Sequence, residues 1–421
     1  MTTGAAPRTS MGKPLMVLPP GGPRDPRPGI AGLAPEALAA WLAARGQPAY
    51  RARQVADWLW GRSVASFDEM RTLPAALRAA LAADFRADTL VSTELRPADQ
   101  GLTEKALHRL DDGRLVESVL MRYPGSAERR ERATVCISSQ AGCAVGCPFC
   151  ATGELGFERD LSTAEIVDQV RSWQRRLAVE GKHVTNVVFM GMGEPLLNVE
   201  PVVEAAMAIT DARRLGLGAR HLTVSTSGVV PGIERLTALR PQWTLAVSLH
   251  AARSALRDVL VPLNRRWPAE EVVAAATAYA EATGRRVSYE YVMIDAINDT
   301  PADARALVAL LRGRLAHVNL IPMNPVAHTP WRPSAPARLD TFAGQLRAGG
   351  LTVTVRRNRG VEIGAACGQL AAEQAGQPAP AAVARRRETL VRRSAAALRE
   401  AAAESAAAVG AGERGVGAGE R

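Results

Sequence analysis

Residues 133–150 read ATVCISSQAGCAVGCPFC. A short β-like run, TVCISS (134–139), leads into a loop that carries Cys143, Cys147 and Cys150 in C-x₃-C-x₂-C spacing. The alternation that begins here continues to residue 360. Further β-like runs are VTNVVFMGMG (184–193), HLTVSTSG (221–228), WTLAVSLH (243–250), RVSYEYVMI (286–294), HVNLIPMNP (317–325) and LTVTVRRNRG (351–360). Between them lie segments with helical spacing of apolar residues, among them TAEIVDQVRSWQRRLAV, VEPVVEAAMAITDARRL, AEEVVAAATAYAEATG and DARALVALLRGRL. Repeated β–α units imply a parallel sheet with helices packed on it. About six units fall short of the eight that close a full barrel. The segment 133–372 is therefore expected to form an α/β fold, a partial, open β/α barrel. Chemistry in such sheets gathers at the carboxyl ends of the strands.

The flanks read differently. Residues 31–95 carry three helical stretches, LAPEALAAWLAARG, YRARQVADWLW and PAALRAALAADF, and are expected to form a small helical accessory domain. Residues 100–132 read as a β-hairpin linker, TEKALHRL and RLVESVLMRY around a turn at Asp111-Asp112-Gly113. The Pro- and Gly-rich residues 1–30 are expected to be a disordered leader, and the Ala/Arg/Glu/Gly-biased residues 373–421 a low-complexity tail that is helical in part.

The composition is that of a globular chain: 47% hydrophobic and 22% charged over 421 residues. No apolar run is long enough for a membrane span or a secretory signal, so a cytoplasmic protein is expected. Lys+Arg exceed Asp+Glu by 52 to 42, a net charge of +10, but more than half of that excess lies in the two low-complexity ends. Such charge suits RNA without specifying it.

Cys136 and Cys367 complete a set of five cysteines. An odd number argues against a disulfide scaffold. Structural zinc and ordinary iron–sulfur clusters take four protein ligands. Three thiolates on one loop suggest a cluster with one open iron. The competing readings are a zinc site completed by His250 or His221, and three unrelated buried cysteines.

The three-cysteine loop, with an aromatic residue before its last Cys, resembles that of the radical S-adenosylmethionine (SAM) superfamily. Gly191-Met192-Gly193-Glu194-Pro195 resembles that superfamily's glycine-rich SAM-binding element. Longer segments resemble the RlmN/Cfr family of RNA methylases: CISSQAGCAVGCPFCATGELGFERDLSTAEIVDQV, VVFMGMGEPLLN, TVSTSGVVPGI, AVSLHA, NLIPMNP and RGVEIGAACGQL, together with RARQVADWLW and DDGRLVESVLM. The resemblance spans about residues 31–372.

The resemblance implies one 4Fe–4S cluster held by Cys143, Cys147 and Cys150, with SAM on the open iron. It implies SAM contacts from Gly193, Glu194, Ser225, Ser248, Leu249, His250 and Asn324. The expected activity is methylation of carbon-2 of adenine in 23S rRNA, at the peptidyl-transferase centre, and in tRNA, next to the anticodon. Two SAM molecules are used per turnover. Cys367 takes a methyl group from the first. The second yields an adenosyl radical that removes a hydrogen from the S-methyl group, and the carbon radical so formed adds to the ring. Cys136 is the implied resolving cysteine, which closes a transient disulfide with Cys367. Glu117 matches the implied proton acceptor. The electron is expected from a donor such as flavodoxin or ferredoxin, and the protein is expected to be a monomer with no membrane partner.

A ring carbon is out of reach inside a base stack, so the adenine must be extruded. The helical unit at 31–95 resembles the family's RNA-binding domain, and Arg356, Arg357 and Arg359 could bind phosphate. Two rivals stand beside the carbon-2 reading: methylation of carbon-8 by the same machinery, the Cfr-type reaction that gives antibiotic resistance, and a non-catalytic zinc-binding RNA module.

Overall fold

The computed structural model describes residues 24–128, 130–356, 358–370, 385 and 388–400. Helices α1 (Pro35–Ala43), α2 (Tyr50–Ala56) and α3 (Ala75–Asp84) form the N-terminal unit. α2 widens into a π-helical turn over Asp57–Gly61, which buries Leu59 and Trp60. The chain then builds β1 (Ser92–Ala98), β2 (Thr103–Arg109), β3 (Leu115–Tyr123) and β4 (Arg132–Cys136). A separate ribbon pairs β5 (Gln140–Gly142) with β6 (Phe157–Asp160). The remaining strands are β7 (Asn186–Phe189), β8 (Leu222–Thr226), β9 (Thr244–Ser248), β10 (Val287–Met293), β11 (Ala316–Pro322) and β12 (Thr352–Val355).

Among the described residues these strands form one ten-stranded sheet in the order β1-β2-β3-β4-β7-β8-β9-β10-β11-β12. From β4 to β12 every neighbouring pair is parallel, and the sheet does not close. The helices are α4 (Ala151–Leu155), α5 (Thr163–Ala178), α6 (Val199–Thr210), α7 (Val230–Leu239), α8 (Ser254–Leu260), α9 (Ala269–Thr283), α10 (Pro301–Leu311) and α11 (Pro336–Ala348). Their starts are written locally. Ser162 and Glu165 form a reciprocal capping box on α5, and Thr300 and Asp303 form another on α10. The expected open α/β barrel is present, its parallel strands running from β4 to β12, and helices precede it.

The outer segments differ from expectation. Residues 24–30, expected within the leader, are tied down. The backbones of Ile30 and Arg86 bond at 2.9 Å, and Asp25 N–H donates to Asp111 Oδ2 at 3.0 Å. Residues 1–23 lie outside the described residues. The hairpin over 103–123 is no linker. β3 pairs antiparallel with β4, Val119 opposite Cys136, so the hairpin extends the barrel's own sheet. β1, which sequence reading missed, forms the far edge. Its face is mostly exposed and it carries Pro97, so it lacks the apolar alternation that betrays a strand. Within the tail, residues 388–400 are helical and bury Leu390, Ser394 and Ala397 on one face.

The N-terminal unit is pinned to α5 by a buried polar cluster. Arg171 ion-pairs with Asp168 and donates to the carbonyls of Leu59 (3.2 Å), Ala87 (3.0 Å) and Val64 (2.6 Å). Asp168 also accepts from Thr89 N–H and Oγ1, at 2.8 and 2.7 Å.

Candidate active site

A cavity of about 170 Å³ opens at the carboxyl ends of the parallel strands. Cys143, Cys147, Cys150, Gly193, Glu194, Ser225, Ser248, His250, Asn324 and Cys367 all line it. These residues span more than 200 positions of sequence, and the β–α topology alone brings them together. The other three expected site residues stand outside the lining. Leu249 is fully buried, with its N–H on the Glu290 carbonyl at 3.0 Å. Cys136 is buried at the end of β4. Glu117 lies inside β3, ion-paired with Lys105 at 3.0 Å.

The cysteine loop is held tightly. Cys143 N–H donates to the Gly156 carbonyl at 2.7 Å and Cys150 N–H to the Cys147 carbonyl at 3.1 Å. Gly153 lets α4 sit against the loop: a Cβ there would lie 2.9 Å from both N and O of Cys147. Burial pushes all three thiols above their ordinary range, Cys143 to about 12. Negative neighbours add to the rise, the sister cysteines among them. Thiolates at these positions therefore need a positive partner.

The donor set fits an iron–sulfur cluster. A cluster takes each cysteine on a different iron, so its ligands need not point at one centre. Among the described residues no three His, Cys, Asp or Glu side chains converge as ligands of a single metal ion. His221 sits at the opposite end of β8 and bonds Asn186 at 3.2 Å, so it is no fourth ligand. The cavity also holds an unanswered polar atom: Oδ1 of Asn324 is buried without a hydrogen-bond partner among the described residues. A polar ligand in the cavity would satisfy it.

The other lining groups are oriented from behind. Glu194 accepts from Ser227 N–H and Oγ, both at 2.7 Å, and from Leu196 N–H at 3.0 Å, while burial pushes its carboxyl up. Ser225 donates to the Phe189 carbonyl at 2.6 Å. His250 adopts φ +59° and accepts the Val292 N–H on Nδ1 at 3.1 Å, which assigns its proton to Nε2. Burial, with Arg257 adding to it, lowers its pKa to about 3, so the ring is neutral. Its edge-to-face partner is Phe149, 4.8 Å between centroids. Arg257 gathers the strand ends by donating to the carbonyls of Ser227 (2.7 Å), Leu249 (3.0 Å) and Ser248 (3.4 Å).

Cys367 rides on the loop after β12. Its carbonyl accepts Asn324 Nδ2 at 2.9 Å, and the next residue, Gly368, accepts the Ala151 N–H at 2.7 Å. Burial pushes the Cys136 thiol to about 12, and the Cys367 sulfur adds to the rise. Arg356 lines the cavity beside Cys367 and Glu290, and the Cys367 sulfur is the main influence that raises its pKa. Arg359 lies over the Tyr123 ring at 4.5 Å and donates to the Arg122 carbonyl at 2.8 Å. Arg357 lies outside the described residues.

Sequence reading missed Glu290 and Arg257. Glu290 lines the cavity and accepts from Ser288 Oγ and Asn319 Nδ2, both at 2.7 Å. An acid between the tyrosines of the strand-like run RVSYEYVMI was the available signal, since buried charge demands partners. Arg257 gave no comparable signal, because it falls on a helix where arginine is ordinary.

Comparison with known proteins agrees with this geometry. Residues 137–308 match the family model for the radical SAM superfamily, and residues 29–86 match that for the ribosomal RNA large subunit methyltransferase N-terminal domain. A probable dual-specificity RNA methyltransferase RlmN of Frankia casuarinae is 53% identical over 342 residues, covering 79% of this chain and 80% of the relative. A protein of the same description from Thermobifida fusca is 50% identical over 82% of this chain and 95% of its own. The crystal structure of a radical SAM methyltransferase from Sphaerobacter thermophilus superposes with a TM-score of 0.78 at 46% identity, covering 82% of this chain and 99% of that one. With its cysteine cavity, its open barrel and relatives that match it along most of their length, the chain belongs to the RlmN family of radical SAM methyltransferases.

Proposed function

We propose that the protein methylates carbon-2 of adenine in 23S rRNA and in tRNA. The observation that carries this reading is that Cys367 lines the same cavity as the three-cysteine loop. A methyl-carrying sulfur placed there can exchange groups with a cofactor held by that loop. When bound, a 4Fe–4S cluster with an open iron supplies one-electron cleavage of SAM, the electron coming from a donor such as flavodoxin or ferredoxin.

Cys143, Cys147 and Cys150 hold the cluster. Gly193, Glu194, Ser225, Ser248, His250 and Asn324 bind SAM, with Leu249 fixing the backbone beneath. Neutral His250 offers an Nε2–H donor to the cavity without adding charge. Cys367 sulfur attacks the methyl carbon of one SAM as a nucleophile, and S-adenosylhomocysteine leaves. Cys136, as the thiolate, bonds to the Cys367 sulfur; the Cys367 S–C bond to the base breaks, its electron pair goes to the carbon that becomes the methyl group, and an external thiol reductant resets the disulfide. Glu117, paired with Lys105, takes the role of proton acceptor. The extruded adenine enters over Cys367.

The test is methyl transfer to an rRNA fragment and to tRNA by the anaerobically loaded wild type and Cys367→Ala. The variant should still cleave SAM and deliver no methyl group, a loss of at least about 10³-fold from removing a covalent carrier. Mass spectrometry of the nucleoside should give 2-methyladenosine. A product of 8-methyladenosine, or methyl transfer by Cys367→Ala, would refute the reading.

A further inference from the structure

Cys367 sits near the end of the 360–368 loop, and this loop is seated on the antiparallel half of the sheet. The seat is the turn between β1 and β2. There Asp99 and Gln100 adopt φ +50° and +57°, left-handed conformations uncommon outside glycine. The turn presents both a donor and an acceptor to the loop. Asp99 Oδ2 accepts the Gly360 N–H at 2.9 Å, and Asp99 N–H donates to Glu362 Oε1 at 3.2 Å. The same Oδ2 accepts Thr103 Oγ1 at 2.6 Å, which fixes the carboxylate in place. These bonds join residues more than 260 positions apart.

Two close approaches complete the seat. A Cβ on Gly360 would meet Thr103 Cγ2 at 2.9 Å, so the loop backbone lies directly on β2. Lys105 Nζ, the partner of Glu117, lies 3.7 Å from where a Cβ on Gly364 would stand. Beyond Cys367 the loop is tied to the start of α4, just after the cysteine loop, through Ala151 N–H on the Gly368 carbonyl and Thr152 Oγ1 on the Leu370 carbonyl, at 2.7 and 2.6 Å.

We propose that Asp99 is a positioning residue for Cys367: its turn latches the front of the 360–368 loop and so holds the sulfur at the cavity. The inference rests on the proposed function only for what Cys367 then does. A strained turn that spends both its carboxylate and its N–H on one distant loop fixes that loop more firmly than burial alone. Hydrogen bonds to a charged acceptor are also stronger than neutral ones. Losing the latch lets the loop open locally while the remainder of the fold stays closed.

The experiment is timed alkylation of the full chain with iodoacetamide, each cysteine read separately by peptide mass spectrometry. This readout depends on neither SAM nor RNA. Asp99→Gly removes the carboxylate and keeps the backbone freedom that φ +50° requires. It should raise the rate at Cys367 about tenfold with Cys136 unchanged. Asp99→Asn keeps an acceptor and the N–H, and should stay within about twofold of wild type. Glu362→Ala removes the exposed partner of Asp99 N–H, and should raise the rate about threefold. In loaded enzyme, Asp99→Gly should retain SAM cleavage and lower the yield of S-methylated Cys367. An unchanged Cys367 rate in both Asp99→Gly and Glu362→Ala would overturn the proposal. So would a rise at Cys136 equal to that at Cys367, which marks general loosening.

Discussion

At the scale of the residue, burial separates the two cysteines that lie outside the three-cysteine loop. Cys136 is enclosed at the end of β4, where burial first and the Cys367 sulfur second push its thiol to about 12. At pH 8 about one part in 10⁴ of such a thiol is ionised, against roughly a quarter of a free cysteine. Since the thiolate is the nucleophile, the resting Cys136 should alkylate about 10³-fold more slowly than an unperturbed thiol. Its rate should rise about tenfold per pH unit, with no plateau below pH 11. Timed alkylation between pH 7 and 10 checks this, and a plateau near pH 8.5 would show an ordinary thiol. The sequence displayed Cys136 as a cysteine in a β-like run, but its environment is a property of packing across β3, β4 and β7, which no local pattern contains.

At the scale of the element, the cysteine loop owes its shape to α4, a helix of only five residues. Gly153 is the contact that makes it possible, because a Cβ there would press on both N and O of Cys147. Gly153→Ala should force the loop outward at a cost of about 1–3 kcal/mol. Iron bound per chain after anaerobic loading should fall, with the melting temperature lowered by a few degrees at most. Wild-type iron content in that variant would show that the loop tolerates the shift. Most elements of the barrel were legible in the sequence, since most parallel strands are compact apolar runs followed by a helical stretch, two of which, α5 and α10, carry capping boxes. β1 was not, because an exposed edge strand needs no apolar face. The cavity-lining side chains were legible where motifs mark strand ends, as at GMGEP and SLH. Glu290 and Arg356 were not assigned to the cavity, because which way a strand-borne charge faces is decided by register against neighbouring strands.

At the scale of the whole molecule, the N-terminal unit and the barrel share one buried junction. Arg171 holds Asp168 and three carbonyls of the N-terminal half without exposure to solvent. Arg171→Ala should leave Asp168 as a buried unpaired charge and cost about 3–5 kcal/mol. Denaturant unfolding should show both halves lost in one shifted transition, and a variant in which only the helical unit melts would mean that the halves are independent. The sheet itself has a further consequence. It passes from antiparallel to parallel pairing at β3 and β4 with no break in its ladder. A chimera made with a relative therefore cannot cross over at residue 133, where the barrel begins in sequence. That junction would graft a foreign β3 onto a native β4 and leave its side chains mismatched beneath Cys136. The workable splice lies before Ser92, so that the barrel keeps the three strands it inherits from the other half.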